Sequence, residues 1–191
     1  MPTVWYWKTE PCTSGPILWA DMGQGRLSAR RAVLFSLLGA MIFALKMAMV
    51  QLPNLEPVSL LVMVLAVCFG WQGLYAVYLY VFLEWAVWGI GLWAVCYLYV
   101  WLVLFCLARA FRKMESALGW ALLSGCFGLL FGALCALVYW ISGGWAAAVS
   151  WWMAGIPMDL VHGGGNFAIA LVLFKPLRRW MTKLRTWYEK R

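Results

Sequence analysis

An all-α integral membrane bundle of six transmembrane helices is the fold class this sequence predicts, and three observations lead to it. Hydrophobic residues make up 65% of the 191 residues and charged residues only 12%, against about 25% charged in soluble domains. The apolar residues come in long runs, and since a helix crosses a bilayer with about 20 of them, the chain furnishes roughly six spans in one membrane domain. The formal charge of +8 gathers at the ends of those runs, where membrane topology puts Lys and Arg. That placement argues against nucleic acid as a partner. The cysteines at 12, 68, 96, 106, 126 and 135 show no close pairing, so neither a disulfide framework nor a metal site is expected. The opening residues lack a basic stretch followed by an apolar run, so no cleavable signal peptide is expected.

Residues 1–29 mix Trp5, Tyr6, Trp7 and Trp19 with Pro11, Gly15 and Pro16, which reads as an irregular N-terminal arm at the cytoplasmic interface. The six-helix membrane domain is expected over residues 30–176. Its first span runs from Arg30 to Gln51, with Ser36, Ala40, Ala44 and Ala48 at every fourth position. That spacing stacks small side chains on one face, suited to close approach by another helix, whether from a partner or from this bundle. Lys46 projects roughly 140° from the centre of the stripe, which suits an interior role. Pro53 and Pro57 break the pattern. A second, short span covers 58–70, a third 74–87 with Glu84 near its far end, and a fourth, rich in aromatics, 92–108. Packing and interface anchoring account for those aromatics without a ligand cage. Arg109, Arg112 and Lys113 close the fourth span, and a fifth covers 117–141 with Gly125, Gly128 and Gly132 as a close-packing face. Ser142-Gly-Gly-Trp145 reads as a loop, followed by a short aromatic segment and the last span. Residues 177–191 form a basic tail in which Leu177, Trp180 and Leu184 repeat at helical spacing. It is expected to be an amphipathic helix on the anionic leaflet, a solvated charge run being the simpler alternative.

The last span carries the most informative stretch, Gly155-Ile-Pro-Met-Asp-Leu-Val-His-Gly-Gly-Gly-Asn166, which holds the sole histidine. In a helix, Asp159, His162 and Asn166 fall within an arc of roughly 60°. Polar groups aligned on a lipid-embedded helix are costly unless they face a protein interior or a cavity, so this stripe is a candidate functional site. The structural alternative is that His162 and Asp159 satisfy each other.

With six spans, the N-terminus, the 109–113 loop and the C-terminus share one basic side, which the positive-inside rule assigns to the cytoplasm. The opposite half then holds Lys46, Gln51, Asn54, Glu56 and Glu84 together with Asp159, His162 and Asn166. Such a set supplies donors and acceptors for a polar solute in an outward-open pocket. Catalysis is the weaker reading. No Gly-x-Ser-x-Gly elbow accompanies His162, no HExxH or His/Cys set offers zinc ligands, and no phosphate-binding P-loop is present. The chain is therefore expected to be neither an enzyme nor a holder of cofactor or metal. The alternatives left open are an intramembrane enzyme using His162 and Asp159, and an assembly subunit without a ligand.

Four pieces of the chain carry a resemblance: the small-residue stripe of the first span, Leu52-Pro-Asn-Leu-Glu-Pro-Val-Ser59, the Glu84 to Lys113 block, and Ala154-Gly-Ile-Pro-Met-Asp-Leu-Val-His162 through Leu-Phe-Lys-Pro176. In this order and spacing they resemble the substrate-binding S component of energy-coupling-factor (ECF) transporters, over about Arg30 to Pro176. The resemblance implies a six-helix protein of the bacterial cytoplasmic membrane that captures a water-soluble vitamin or related micronutrient from outside. It further implies a transmembrane T subunit and two cytosolic ATPase subunits as partners, with Ala40, Ala44 and Ala48 docking on the T subunit. The aromatic arm before Arg30 and the Gly163-Gly-Gly165 run depart from the family's pattern. Similar folds bind chemically different solutes, so the resemblance does not name the ligand. Glu56, Glu84 and Asp159 outnumber Lys46, which leans toward a cationic or donor-rich one.

Overall fold

A computed structural model of the chain describes residues 28–52 and 55–190. The N-terminal arm up to residue 27 and Asn54 lie outside the described residues. Four helical stretches, Ala29–Ala48, Val58–Trp88, Leu92–Ala110 and Ala117–Glu189, are long and apolar enough to cross a membrane. The chain is an all-α, multi-pass membrane protein, consistent with a location in the cell membrane. Large apolar side chains such as Leu37, Ile141 and Val172 are more than 60% exposed, as lipid-facing surfaces require.

Helix α1 (Ala29–Ala48) opens at Ser28, whose Oγ accepts from the Arg31 amide at 3.4 Å, a side-chain cap on an otherwise orphan donor. Pro57 precedes α2 (Val58–Phe69), all twelve of whose residues are buried. A helix apolar on every face belongs at the centre of a bundle, and at about 18 Å α2 is shorter than the hydrocarbon core. Gly70–Gln72 forms a single 3-10 turn into α3 (Gly73–Trp88). After Gly91 comes α4 (Leu92–Ala110), then α5 (Ala117–Leu129), whose start is capped by the Ser116 side chain. The expected fifth span is thus two helical pieces meeting at Leu130, because α6 (Phe131–Glu189) begins at once.

The α6 helix contains a break at Gly144, where φ is 78°. With ψ at −178° this is a region essentially reserved for glycine, strained by about 1–3 kcal/mol for other residues, so glycine lets the chain reverse there. Register confirms the reversal. Trp120 stacks on Phe174, Gly125 lies against Phe167, Gly128 against Gly163, Gly132 against Asp159, and Tyr139 on Trp151. Residue numbers rise on one arm as they fall on the other, so 117–143 and 145–189 form an antiparallel hairpin. The loop and aromatic segment expected at 142–152 are helical apart from the Gly144 reversal, and the helix continues through Pro157 and Pro176 to Glu189.

Other contacts set the remaining directions. Phe35 meets Tyr75 and Lys46 meets Glu84, so α1 and α3 run parallel. The Tyr78 hydroxyl donates to Leu98 O and the Trp85 Nε1 donates to Ala94 O, so α3 and α4 are antiparallel. Asn166 reaches Ser59 and Arg185 reaches Cys68, so α2 runs parallel to the second arm of α6. One end of the bundle therefore gathers the basic residues of α1's start, α4's end and the tail. There Arg109 donates to Ala66 O at 3.3 Å and Arg185 to Cys68 O at 3.0 Å, supplying the terminal carbonyls of α2 with donors that its own helix cannot give. The tail is docked at that end, with Met181 fully buried.

Candidate functional site

At the opposite end α1, α3 and α4 bring their side chains together around Lys46. Its Nζ donates to Glu84 Oε2 at 2.8 Å and to the hydroxyls of Tyr80 and Tyr97 at 3.3 Å each. Glu56, from the segment before α2, completes the group with an ion pair at 3.7 Å. Glu84 is 1% exposed, and a carboxylate at that depth is tolerated when a charged partner and hydrogen bonds replace its water. Burial pushes the Glu56 carboxyl above its ordinary range; Lys46 pulls it down and the Glu84 charge pushes it up.

The second half of the site is the polar stripe of α6. Helical geometry does align Asp159, His162 and Asn166, and all three are buried. They use different partners. Asp159 Oδ1 accepts from the Gly132 amide at 3.0 Å, across the hairpin, and Asn166 Nδ2 donates to Ser59 Oγ at 3.0 Å on α2. His162 sits edge-on to the Phe131 ring, centroids 4.9 Å apart. His162 and Asp159 therefore do not satisfy each other, and the ring packed against the imidazole supplies no nucleophile. Three polar atoms here are buried without a hydrogen-bond partner: Glu84 Oε1, Asp159 Oδ2 and His162 Nε2. Buried polar groups are normally paired, and each exception calls for an explanation.

The two halves are joined by rings. Tyr97 lies 5.1 Å from Lys46 Nζ by its ring centroid, meets Phe131 at 6.3 Å, and Phe131 meets His162. Seven of the eight expected site residues are described. Lys46, Glu56 and Glu84 form one network, Asp159, His162 and Asn166 an adjacent stripe, and Gln51 lies exposed on the turn after α1, outside both. Ala40, Ala44 and Ala48 are exposed, on a face away from Phe35, Leu38, Gly39 and Ile42, which pack inward. Sequence reasoning missed Tyr80, Tyr97, Ser59 and Gly132. Tyr80 had a signal, standing one turn before Glu84 on the same face, whereas the others are defined only by tertiary contact.

No protein-family model matches the chain, and no curated protein or solved structure matches it.

Proposed function

We propose that this chain is the substrate-binding S component of an ECF-type transporter, with six membrane crossings and both termini cytoplasmic. It captures a water-soluble vitamin or related micronutrient from outside, and partner subunits, a transmembrane T subunit and two cytosolic ATPases, supply the energy. The observation that carries this reading is the layer of buried polar groups whose hydrogen-bonding capacity is only partly used. Intramembrane polar groups of that kind mark solute paths by default. Helix direction supports the orientation: the basic residues lie at one end and the layer at the other, where a solute from outside would arrive. The exposed stripe Ala40, Ala44 and Ala48 supports docking on a partner helix. Recognition is what such a layer offers, and the ring packed against His162, that of Phe131, supplies no nucleophile.

The test is a titration of detergent-purified protein with water-soluble vitamins, followed by the fluorescence of its 15 tryptophans. Saturable quenching that is lost on altering Asp159 supports capture; a folded, ligand-free protein that responds to none of them counts against it. Ala44→Trp separates docking from binding. Because Ala44 is exposed, the variant is expected to fold and bind solute while failing to co-purify with a T subunit. Loss of solute binding in that variant would refute the assigned face.

A further inference from the structure

We infer that the solute of this layer is a small organic cation rich in N–H donors, of the amidine, guanidine or aminopyrimidine type, held between Glu84 and Asp159. The inference rests on the solute-capture reading above and narrows it to a ligand class.

Acceptors are what the layer has to spare. Lys46 and the Gly132 amide each occupy one oxygen of a buried carboxylate, leaving Glu84 Oε1 and Asp159 Oδ2 without donors. His162 Nε2 is a third unpartnered atom, one helical turn from Asp159, on a side chain 3% exposed. An ionised carboxylate only accepts, so a ligand rich in donors is the complement of these two oxygens. Charge points the same way. Lys46 is a single cation facing Glu84 and Glu56, and Asp159 lies beyond it with no cation of its own. Surplus negative charge in an apolar bundle is costly, and a positive group beside it relieves that cost.

The positive group is organic. Among the described residues no three His, Cys, Asp or Glu side chains gather closely enough to hold a metal ion. Between the two carboxylates stand Tyr97 and Phe131, whose rings attract a flat cation. Trp101, ring-packed on both, keeps an unpartnered Nε1 donor, so the ligand also accommodates one acceptor. A planar cation with several N–H groups and an acceptor nitrogen meets these demands together.

The test uses the full-length chain in detergent and three probes of one shape: benzamidine, benzamide and benzoate. Tryptophan fluorescence and the thermal midpoint report saturation. Benzamidine is expected to saturate with a dissociation constant on the order of 1 mM, appropriate to so few heavy atoms. Benzamide and benzoate should bind roughly tenfold more weakly or worse, and Glu84→Gln and Asp159→Asn should each weaken benzamidine by roughly tenfold. Failure of benzamidine to saturate, or benzoate binding as tightly, overturns the ligand class; this comparison needs only the unaltered chain, so it stands if a variant fails to fold. Nicotinate, pantothenate and nicotinamide are titrated in parallel. Saturable binding of one of these, sensitive to Asp159→Asn, leaves solute capture intact and removes the cationic class. Silence toward every probe removes both.

Discussion

Replacing Lys46 by methionine tests whether the polar layer is an electrostatic unit. The side chain holds Glu84 at 2.8 Å and Glu56 at 3.7 Å, and receives further support from two tyrosine hydroxyls. Methionine keeps the apolar stem and removes the charge, stranding a carboxylate that is 1% exposed. Breaking a buried pair from one side costs about 3–5 kcal/mol. The Lys46 side chain is 18% and that of Glu56 15% exposed, so solvent at the rim favours the lower value, about 3 kcal/mol. For a chain of this size, about 2–4 °C is lost per kcal/mol, so the midpoint in detergent should fall by about 10 °C. Lys46→Met combined with Glu84→Met removes the deeply buried carboxylate opposite the lost cation and leaves only Glu56, at the rim, without its partner, so it should recover most of the loss. Thermal unfolding followed by tryptophan fluorescence measures all three proteins. A drop below about 2 °C in the single variant, or a double variant worse than the single, would refute the account.

Two further predictions follow from the hairpin and from the segment before α2. A Cβ on Gly128 would meet Gly163 Cα and N at 2.8 Å, whereas one on Gly164 meets nothing within 4 Å; Gly128→Ala should cost about 1–3 kcal/mol by forcing the arms apart, and Gly164→Ala should be neutral or gain up to about 1 kcal/mol. Equal midpoints for the two variants would discard the close-packing role. For Glu56, the folded-state pKa is raised above its ordinary 4.5, so the folded chain binds more protons than the unfolded one in the window from 4.5 up to that raised value. Stability should therefore fall as pH rises through that window. The slope should flatten in Glu56→Gln, and an unchanged pH profile of the midpoint in that variant would exclude this origin.

Periodicity and punctuation made the helices legible. Pro57, Gly91 and Ser116 stand immediately before α2, α4 and α5, as proline, glycine and cap residues should. The hairpin turn was only half legible. Ser142-Gly-Gly-Trp145 reads as a loop because two glycines adjoin, yet only Gly144 needs positive φ, and the alanines after it resume the helix at once. The stripe of Asp159, His162 and Asn166 could be read from a 3.6-residue period, because all three lie on one helix. Their partners could not. Asn166 meets Ser59 across 107 residues and Lys46 meets Glu84 across 38, and a pairing between helices depends on how they are rotated against one another. The small-residue stripe shows the same limit from the other side: spacing allowed the alanines an inward or an outward role, and only the burial of Phe35, Leu38 and Ile42 decided for outward.

The two ends of the bundle use polarity differently, and that difference is the strongest reason to look for function at one of them. At the basic end, guanidinium groups close the structure on itself: Arg109, Arg178 and Arg185 donate to Ala66 O, Met114 O and Cys68 O. Ala66 O and Cys68 O are acceptors that the end of α2 leaves open, and Met114 O lies in the loop before α5, where Trp120 Nε1 also donates to it. At the other end buried side chains carry the polarity, and one oxygen of each of the Glu84 and Asp159 carboxylates is left without a donor. A layer kept only for packing would gain from losing those carboxylates, since well-packed apolar residues of similar volume are often as stable or more so than buried charges. Glu84, Asp159 and His162 therefore stand where packing alone does not explain them. A solute that brings its own donors and a positive charge would convert each of these costs into binding energy, so affinity for it and stability of the bundle should rise together.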